Sequence, residues 1–285
     1  MTNGVKIFVG DCCQSLDSLP EKSIHSCITS PPYFGLRDYG IKGQIGLENT
    51  PELFVESMVN VFRKVKRVLR DDGTLWLNLG DSYYNYRPGK GQSVIKQTFH
   101  KTKRDTPEIC PRRANKLVGL KEKDLIGIPW RVALALQADG WYLRQDIIWN
   151  KPNPMPESVQ DRCTKSHEYI FLLSKSPKYY FDSKSILEPV ADITQKNEKR
   201  NKRSVWTVAT KPFKDAHFAT FPPSLIEPCV LAGCPVNGTV LDPFGGAGTT
   251  GVVAITNNRS AILCELNPEY AKMASVRISK EVTSS

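Results

Sequence analysis

Val240-Leu241-Asp242-Pro243-Phe244-Gly245-Gly246-Ala247-Gly248-Thr249-Thr250-Gly251 runs from a short apolar stretch, through a glycine-rich turn, into a helical pattern. Glycines let a backbone approach a ligand closely, and the start of a helix offers unpaired N–H groups. Glu265 stands 17 residues past Gly248, at the end of the next apolar stretch. A carboxylate at such a strand end can accept both hydroxyls of a ribose. Gly246-x-Gly248-x-x-Gly251 also satisfies the dinucleotide fingerprint of nicotinamide enzymes. A purely structural turn is the third possibility. The fingerprint normally opens a nucleotide-binding domain, yet only 34 residues follow Gly251. The rest of the sheet must therefore come from upstream, in an order permuted relative to a dehydrogenase.

The upstream pattern supplies such a sheet. Val5–Val9 and Ile24–Thr29 read as strands, ending at Gly10-Asp11 and Ser30-Pro31-Pro32-Tyr33. Thr50 and Pro51 open a helix predicted to reach Arg70, on the helical spacing of Leu53, Phe54, Met58, Val61, Phe62, Val65 and Leu69. Asp71-Asp72-Gly73 reads as its stop, and Thr74–Leu79 as a strand buried on both faces. Pro129–Ala138 is helical and Gln145–Asn150 extended, while Tyr169–Leu173 and Tyr179–Asp182 flank Ser176-Pro177 as a predicted hairpin. Pro222–Leu231 is helical, Thr239–Leu241 a strand, Thr249–Thr256 a helix and Ala261–Cys264 a strand. Asn267-Pro268-Glu269 caps a last helix. Strands alternating with helices imply a mostly parallel α/β sheet.

Ser30-Pro31-Pro32-Tyr33 follows a strand, where ligands bind in open α/β sheets. Two prolines fix φ twice and restrict the residue before them, so a stiff loop displays a hydroxyl, carbonyls and an aromatic face. Taken with Asp242-Pro243-Phe244-Gly245-Gly246-Ala247-Gly248-Thr249-Thr250, this motif resembles those of the DNA amino-methyltransferases that use S-adenosylmethionine. These are the N4-cytosine and N6-adenine group, in its permuted (beta-type) subclass, with the catalytic motif near the N-terminus and the cofactor motif near the C-terminus. The resemblance spans about 5–80, 140–182 and 217–279.

The resemblance implies a circularly permuted, Rossmann-like sheet of seven strands, mostly parallel, with one antiparallel strand, and with the cofactor strand beside the catalytic strand. It implies S-adenosyl-L-methionine as cofactor, held by Asp242, Phe244, Gly246, Gly248, Thr249, Thr250 and Glu265. Asp11 is expected near the adenine, and Phe218 and Thr220, in His217-Phe218-Ala219-Thr220-Phe221-Pro222, beside the methionine end. Catalysis falls to Ser30, Pro31, Pro32 and Tyr33. An exocyclic amine is a poor nucleophile because its lone pair is delocalised into the ring. Two acceptors holding its N–H protons, Ser30 Oγ and the Pro31 carbonyl, favour a pyramidal nitrogen, while Tyr33 stacks on a base extruded from the duplex. No metal or covalent intermediate is required. Ser at position 30, in place of Asp, goes in this family with cytosine N4; adenine N6 is the alternative. A C5-cytosine mechanism would need a Pro-Cys nucleophile, but Pro228-Cys229 lies in an apolar helical pattern and reads as packing. Methylation of another planar amine, in RNA or protein, is a further possibility. A nicotinamide oxidoreductase is a remote one, separable by which cofactor is retained.

Composition agrees with a nucleic-acid enzyme. The 285 residues carry 39 Lys and Arg against 29 Asp and Glu, a net charge of +10, and a basic surplus suits a polyanion such as double-stranded DNA. Between Arg87 and Lys123 stand eleven basic residues and three acidic ones. Within a single methyltransferase domain over 1–285, the basic insert 83–124 and the variable segment 183–216 are the expected DNA-recognition regions, with Lys101, Lys103, Arg104, Arg112, Arg113, Lys199 and Arg200 as phosphate contacts. A solvated charged face is the plain alternative. A cognate restriction endonuclease is a possible partner. Eight cysteines without a C-x-x-C pair make neither a disulfide framework nor a zinc site. With no signal-peptide or membrane-span pattern, the reading places the protein in the cytoplasm.

Overall fold

The computed structural model describes residues 4–85, 116–190, 198–210 and 221–284. The first half of the chain builds β1 (Val5–Val9), α1 (Cys12–Asp17), β2 (Ile24–Thr29), α2 (Pro51–Val68), β3 (Leu69–Leu79), α3 (Ile128–Ala138) and β4 (Tyr142–Asn150). The second builds β5 (His167–Ser174), β6 (Glu188–Pro189), β7 (Lys199–Arg200), β8 (Val205–Thr207), α4 (Pro223–Gly233), β9 (Thr239–Asp242), α5 (Thr249–Thr256), β10 (Ser260–Glu265) and α6 (Pro268–Ser284). One sheet has the order β1-β10-β9-β2-β3-β5-β4-β8, and β6 and β7 pair separately. All pairings in the large sheet are parallel except those of β5, which runs antiparallel to both β3 and β4.

Helices cover both faces, as a parallel sheet requires. On one side Phe54, Met58, Val61, Phe62 and Val65 of α2 pack with Val132 and Leu136 of α3 and Leu16 of α1. On the other, Leu225, Ile226, Cys229 and Val230 of α4 pack with Val252, Val253 and Ile278. α2 starts where the sequence predicts: Thr50 Oγ1 accepts the Leu53 N–H at 3.3 Å, with Pro51 in the first turn. Among the described residues no helix is long and apolar enough to cross a membrane.

Three expectations are corrected. Asp71-Asp72-Gly73 does not stop α2. The helix ends at Val68, and Leu69 turns directly into β3 with φ −66° and ψ 141°. Ile24 pairs with Leu69 but Ser26 pairs with Thr74, so residues 70–73 bulge from the ladder. The hairpin is not formed either. Tyr179–Asp182 is not a strand: Tyr180 N–H donates to Asp72 O at 2.9 Å and Asp182 N–H to Ala232 O at 2.9 Å, while β5 finds its partners in β3 and β4. Lastly, the sheet has eight strands, because three residues of the 183–216 segment add β8 to its edge. Trp206 anchors them, 6% exposed, with its Nε1–H donating to Arg203 O at 2.7 Å.

Candidate active site

β9 and β2 are neighbours, pairing Val240 with Ser26 and Leu241 with Cys27. From β9 the chain continues through α5 to β10 on one side; from β2 it continues through α2 to β3 on the other. This reversal of direction leaves a crevice beyond the strand ends, the place where open α/β sheets bind ligands. It holds a cavity of about 740 Å³.

Two motifs distant in sequence meet there. Ser30, Pro31, Pro32 and Tyr33 line the cavity from β2, and Asp242, Phe244, Gly245, Gly246, Ala247 and Thr249 line it from the loop after β9. Asp242 ties them together. Its buried carboxylate accepts Thr29 Oγ1 at 2.6 Å and the Phe244 N–H at 3.0 Å on Oδ1, and Thr250 Oγ1 at 2.6 Å on Oδ2. Burial pushes this carboxyl above its usual range, and the hydroxyl and amide donors oppose that push.

Glu265 ends β10 at the cavity wall. It accepts the Gly246 N–H at 2.7 Å on Oε2 and the Asn267 N–H at 2.8 Å on Oε1, which aims the carboxylate while leaving each oxygen a further lone pair. Burial raises its pKa. Asp11 lines the same wall and caps α1, accepting the Cys13 N–H at 2.6 Å and the Gln14 N–H at 3.2 Å. The Asp11, Cys12 and Cys13 ligand atoms lie within 4.8 Å of one another.

Not every residue of the glycine motif faces the cavity. Gly248 has φ +76°, and a Cβ there would lie 2.9 Å from Ala274 Cβ and 3.2 Å from Ile278 Cδ1. It is glycine for its turn and for the close approach of α6, so the sequence-based expectation that it leaves room for ligand is corrected. Thr250 is fully buried and serves Asp242. Cys229 is buried in α4, where burial pushes its thiol well up, as expected of a packing residue. Lys199 and Arg200 form β7, and Arg200 Nε donates to Glu188 Oε1 at 3.0 Å. Phe218, Thr220, Lys101, Lys103, Arg104, Arg112 and Arg113 lie outside the described residues.

The cavity also contains residues that the sequence reading missed. Tyr33 Oη donates to Glu168 Oε2 at 2.6 Å, and Ser30 Oγ donates to Tyr33 Oη at 3.4 Å. Asn78, 3% exposed, donates to the same Glu168 oxygen at 3.2 Å and to Tyr169 O at 3.0 Å. Glu168 Oε1 is paired with Lys151, whose Nζ sits 4.3 Å from the centroid of the Trp149 ring. Burial, followed by the Glu168 charge, holds the Tyr33 phenol well above its ordinary pKa. The Tyr39 and Tyr270 rings meet edge to face, centroids 6.5 Å apart, and both residues line the cavity. Asn78 gave one usable signal, as an amide inside the apolar run Leu75–Leu79.

Comparison with known proteins agrees with this geometry. The profile of the N6/N4 DNA methylase family matches residues 24–276. The chain is 51% identical over 283 residues to the Type II methyltransferase M.Cfr9I of Citrobacter freundii, covering 99% of this chain and 90% of that protein. It is 51% identical over 273 residues to the Type II methyltransferase M.SmaI of Serratia marcescens, covering 96% and 90%. Among solved structures, the PvuII DNA methyltransferase (cytosine-N4-specific) superposes with a TM-score of 0.71 at 20% identity, covering 100% of this chain and 92% of that one. The putative DNA modification methylase TTHA0409 of Thermus thermophilus, complexed with S-adenosyl-L-methionine, superposes with a TM-score of 0.63 at 26% identity, covering 97% and 95%. A sheet with two motifs on adjacent strand ends, matched by this family over most of its length, makes the chain a DNA methyltransferase of the N6/N4 family.

Proposed function

We propose that the protein transfers the methyl group of S-adenosylmethionine to the exocyclic N4 amine of cytosine in duplex DNA. The carrying observation is that Ser30-Pro31-Pro32-Tyr33 and the glycine loop occupy neighbouring strand ends and open into one cavity. The lining suits the cofactor: carboxylates at Asp11 and Glu265 fit a cationic sulfonium with a ribose, and Phe244, Tyr39 and Tyr270 supply aromatic surface for an adenine. TTHA0409, 26% identical, is a relative crystallised with this molecule. When bound, the sulfonium supplies an already activated methyl group, so the protein contributes positioning and electrostatics.

Ser30 Oγ and the Pro31 carbonyl accept the two amine protons and hold the nitrogen pyramidal. Tyr33 stacks on the extruded base, a contact worth ~1–3 kcal/mol by alanine substitution. The two prolines keep these groups from relaxing when the base is absent. Cytosine is favoured over adenine by the serine at position 30. The PvuII enzyme is cytosine-N4-specific, but at 20% identity it speaks for the fold, and the choice of base rests on Ser30. The setting is a modification system, as for the Type II relatives, with a cognate endonuclease cutting the same site. Phosphate contacts fall to the basic stretch around Lys101–Arg113 and to Lys199. Sequencing DNA from cells expressing the protein, with a method that resolves modified bases, gives base, position and recognition site together. N4-methylcytosine within one short sequence is expected; N6-methyladenine would overturn the choice of base, and unmodified DNA the whole reading.

A further inference from the structure

We propose that Glu168 is the proton acceptor of the reaction, reached from the target amine through the hydroxyls of Ser30 and Tyr33. The inference rests on the methyl-transfer reading above. Forming the N–C bond consumes the nitrogen lone pair and leaves a positive charge on the amine, which must then lose a proton. Ser30 is the group placed to receive it, yet a serine hydroxyl cannot keep a second proton at neutral pH. Its own proton points onward, toward Tyr33 Oη at 3.4 Å, and the Tyr33 proton points toward Glu168 Oε2 at 2.6 Å. Tyr33 Oη also reaches Asn78 Oδ1 at 3.2 Å, but its shorter contact ends on the Glu168 carboxylate, the one strong base of the two.

Each step breaks one bond to hydrogen and forms another. N–H gives way to Oγ–H on Ser30. The original Ser30 proton moves to Tyr33, and the Tyr33 proton moves to Glu168. The amine cation becomes neutral and the carboxylate becomes a carboxylic acid, so charge balances without any further reactant. The acid then returns its proton to water at the cavity mouth, with a side chain 15% exposed.

The surroundings keep the acceptor ready. Lys151 pairs with the other Glu168 oxygen, leaving Oε2 to face Tyr33, and Lys151 is itself fixed against Trp149. Asn78 donates to the accepting oxygen at 3.2 Å and cannot take its proton. The Tyr33 phenol, held above its ordinary pKa, keeps its proton, so the relay begins each cycle with that proton in place.

The test is single-turnover transfer of tritiated methyl from S-adenosylmethionine to unmodified genomic DNA, with enzyme in excess over sites. Glu168→Gln keeps the volume and an acceptor for Tyr33 but cannot be a strong base. Tyr33→Phe keeps the stacking ring and breaks the chain at its middle. Each is expected to slow transfer by at least roughly 10²-fold, the low end for general acid–base groups. Cofactor affinity by calorimetry and DNA affinity by gel shift should not change. The double variant should be no slower than the slower single one, because both remove the same path. Wild-type rates in both variants, losses that multiply in the double, or a loss confined to binding would overturn the relay. If Glu168→Gln fails to fold, Tyr33→Phe decides alone, by a slowed or an unchanged rate. Loss in Ser30→Ala with no loss in the other two refutes the relay and leaves the methyl-transfer reading standing; absence of any methylated base with the wild-type protein refutes that reading instead.

Discussion

Gly80 follows β3 and is buried against the Tyr33 ring. A Cβ at this position would lie 2.5 Å from Tyr33 Cε2, 3.1 Å from Cδ2 and 3.2 Å from Cζ. Gly80 is not among the positive-φ glycines, so alanine is acceptable to its backbone and only the space is at issue. Carbon atoms pack at roughly 3.5–4.0 Å, so Gly80→Ala must push the ring edge back by about 1 Å. The Tyr33–Glu168 hydrogen bond, 2.6 Å long, then stretches past any useful length, and the face offered to the base moves with it. A misplacement of about 1 Å can cost on the order of 10² in rate, and overpacking costs about 1–3 kcal/mol of stability. Single-turnover methyl transfer measures the first, chemical unfolding the second, and calorimetry with S-adenosylmethionine checks that the far end of the cavity is intact. A folded Gly80→Ala protein that methylates DNA at the wild-type rate would refute the claim that the Tyr33 ring is held in its working position by this contact.

Three further outcomes are expected. Gly248→Ala should destabilise the protein by about 1–3 kcal/mol, through its left-handed backbone and the contact with Ala274, while cofactor affinity of the folded fraction stays within a few-fold; calorimetry and thermal unfolding separate the two. Cys229→Ser should keep methyl transfer and lose stability, because the thiol packs in the α4 core and is not among the residues lining the active-site cavity; a stable, inactive variant would bring back a cysteine nucleophile. Neutralising Lys101, Lys103, Arg104, Arg112 and Arg113 together should weaken DNA binding and flatten its salt dependence by up to roughly 0.9 per lost contact, and an unaltered slope would assign this stretch to a solvated surface.

The two motifs were legible because each carries backbone chemistry that a sequence displays openly. Prolines after a strand and glycines before a helix announce a loop at a strand end, and Thr29–Asp242 shows how the fold joins them. Glu168 and Lys151 were not legible, and Asn78 only as an amide in an apolar run, because their meaning depends on which strands are neighbours. Asn78 and Glu168 meet only because β5 inserts antiparallel between β3 and β4, where the sequence pattern suggests a local hairpin instead. Gly248 shows the converse. A ligand-facing glycine and a helix-packing glycine leave the same letter, and only the contact with Ala274 separates them. β8 was missed because three residues are too few to show a period.

The central claim is that Ser30, the Pro31 carbonyl and Tyr33 present a cytosine amine to an activated methyl group, and nucleoside analysis tests it most directly. Purified wild-type protein and Ser30→Ala are each incubated with duplex DNA and tritiated S-adenosylmethionine, and the digested nucleosides are identified by mass spectrometry. The account predicts N4-methylcytosine from the wild-type protein and a loss of roughly 10²–10³ in rate for Ser30→Ala, the cost of removing one transition-state hydrogen bond. 5-Methylcytosine as the product, or an undiminished rate in Ser30→Ala, would contradict it.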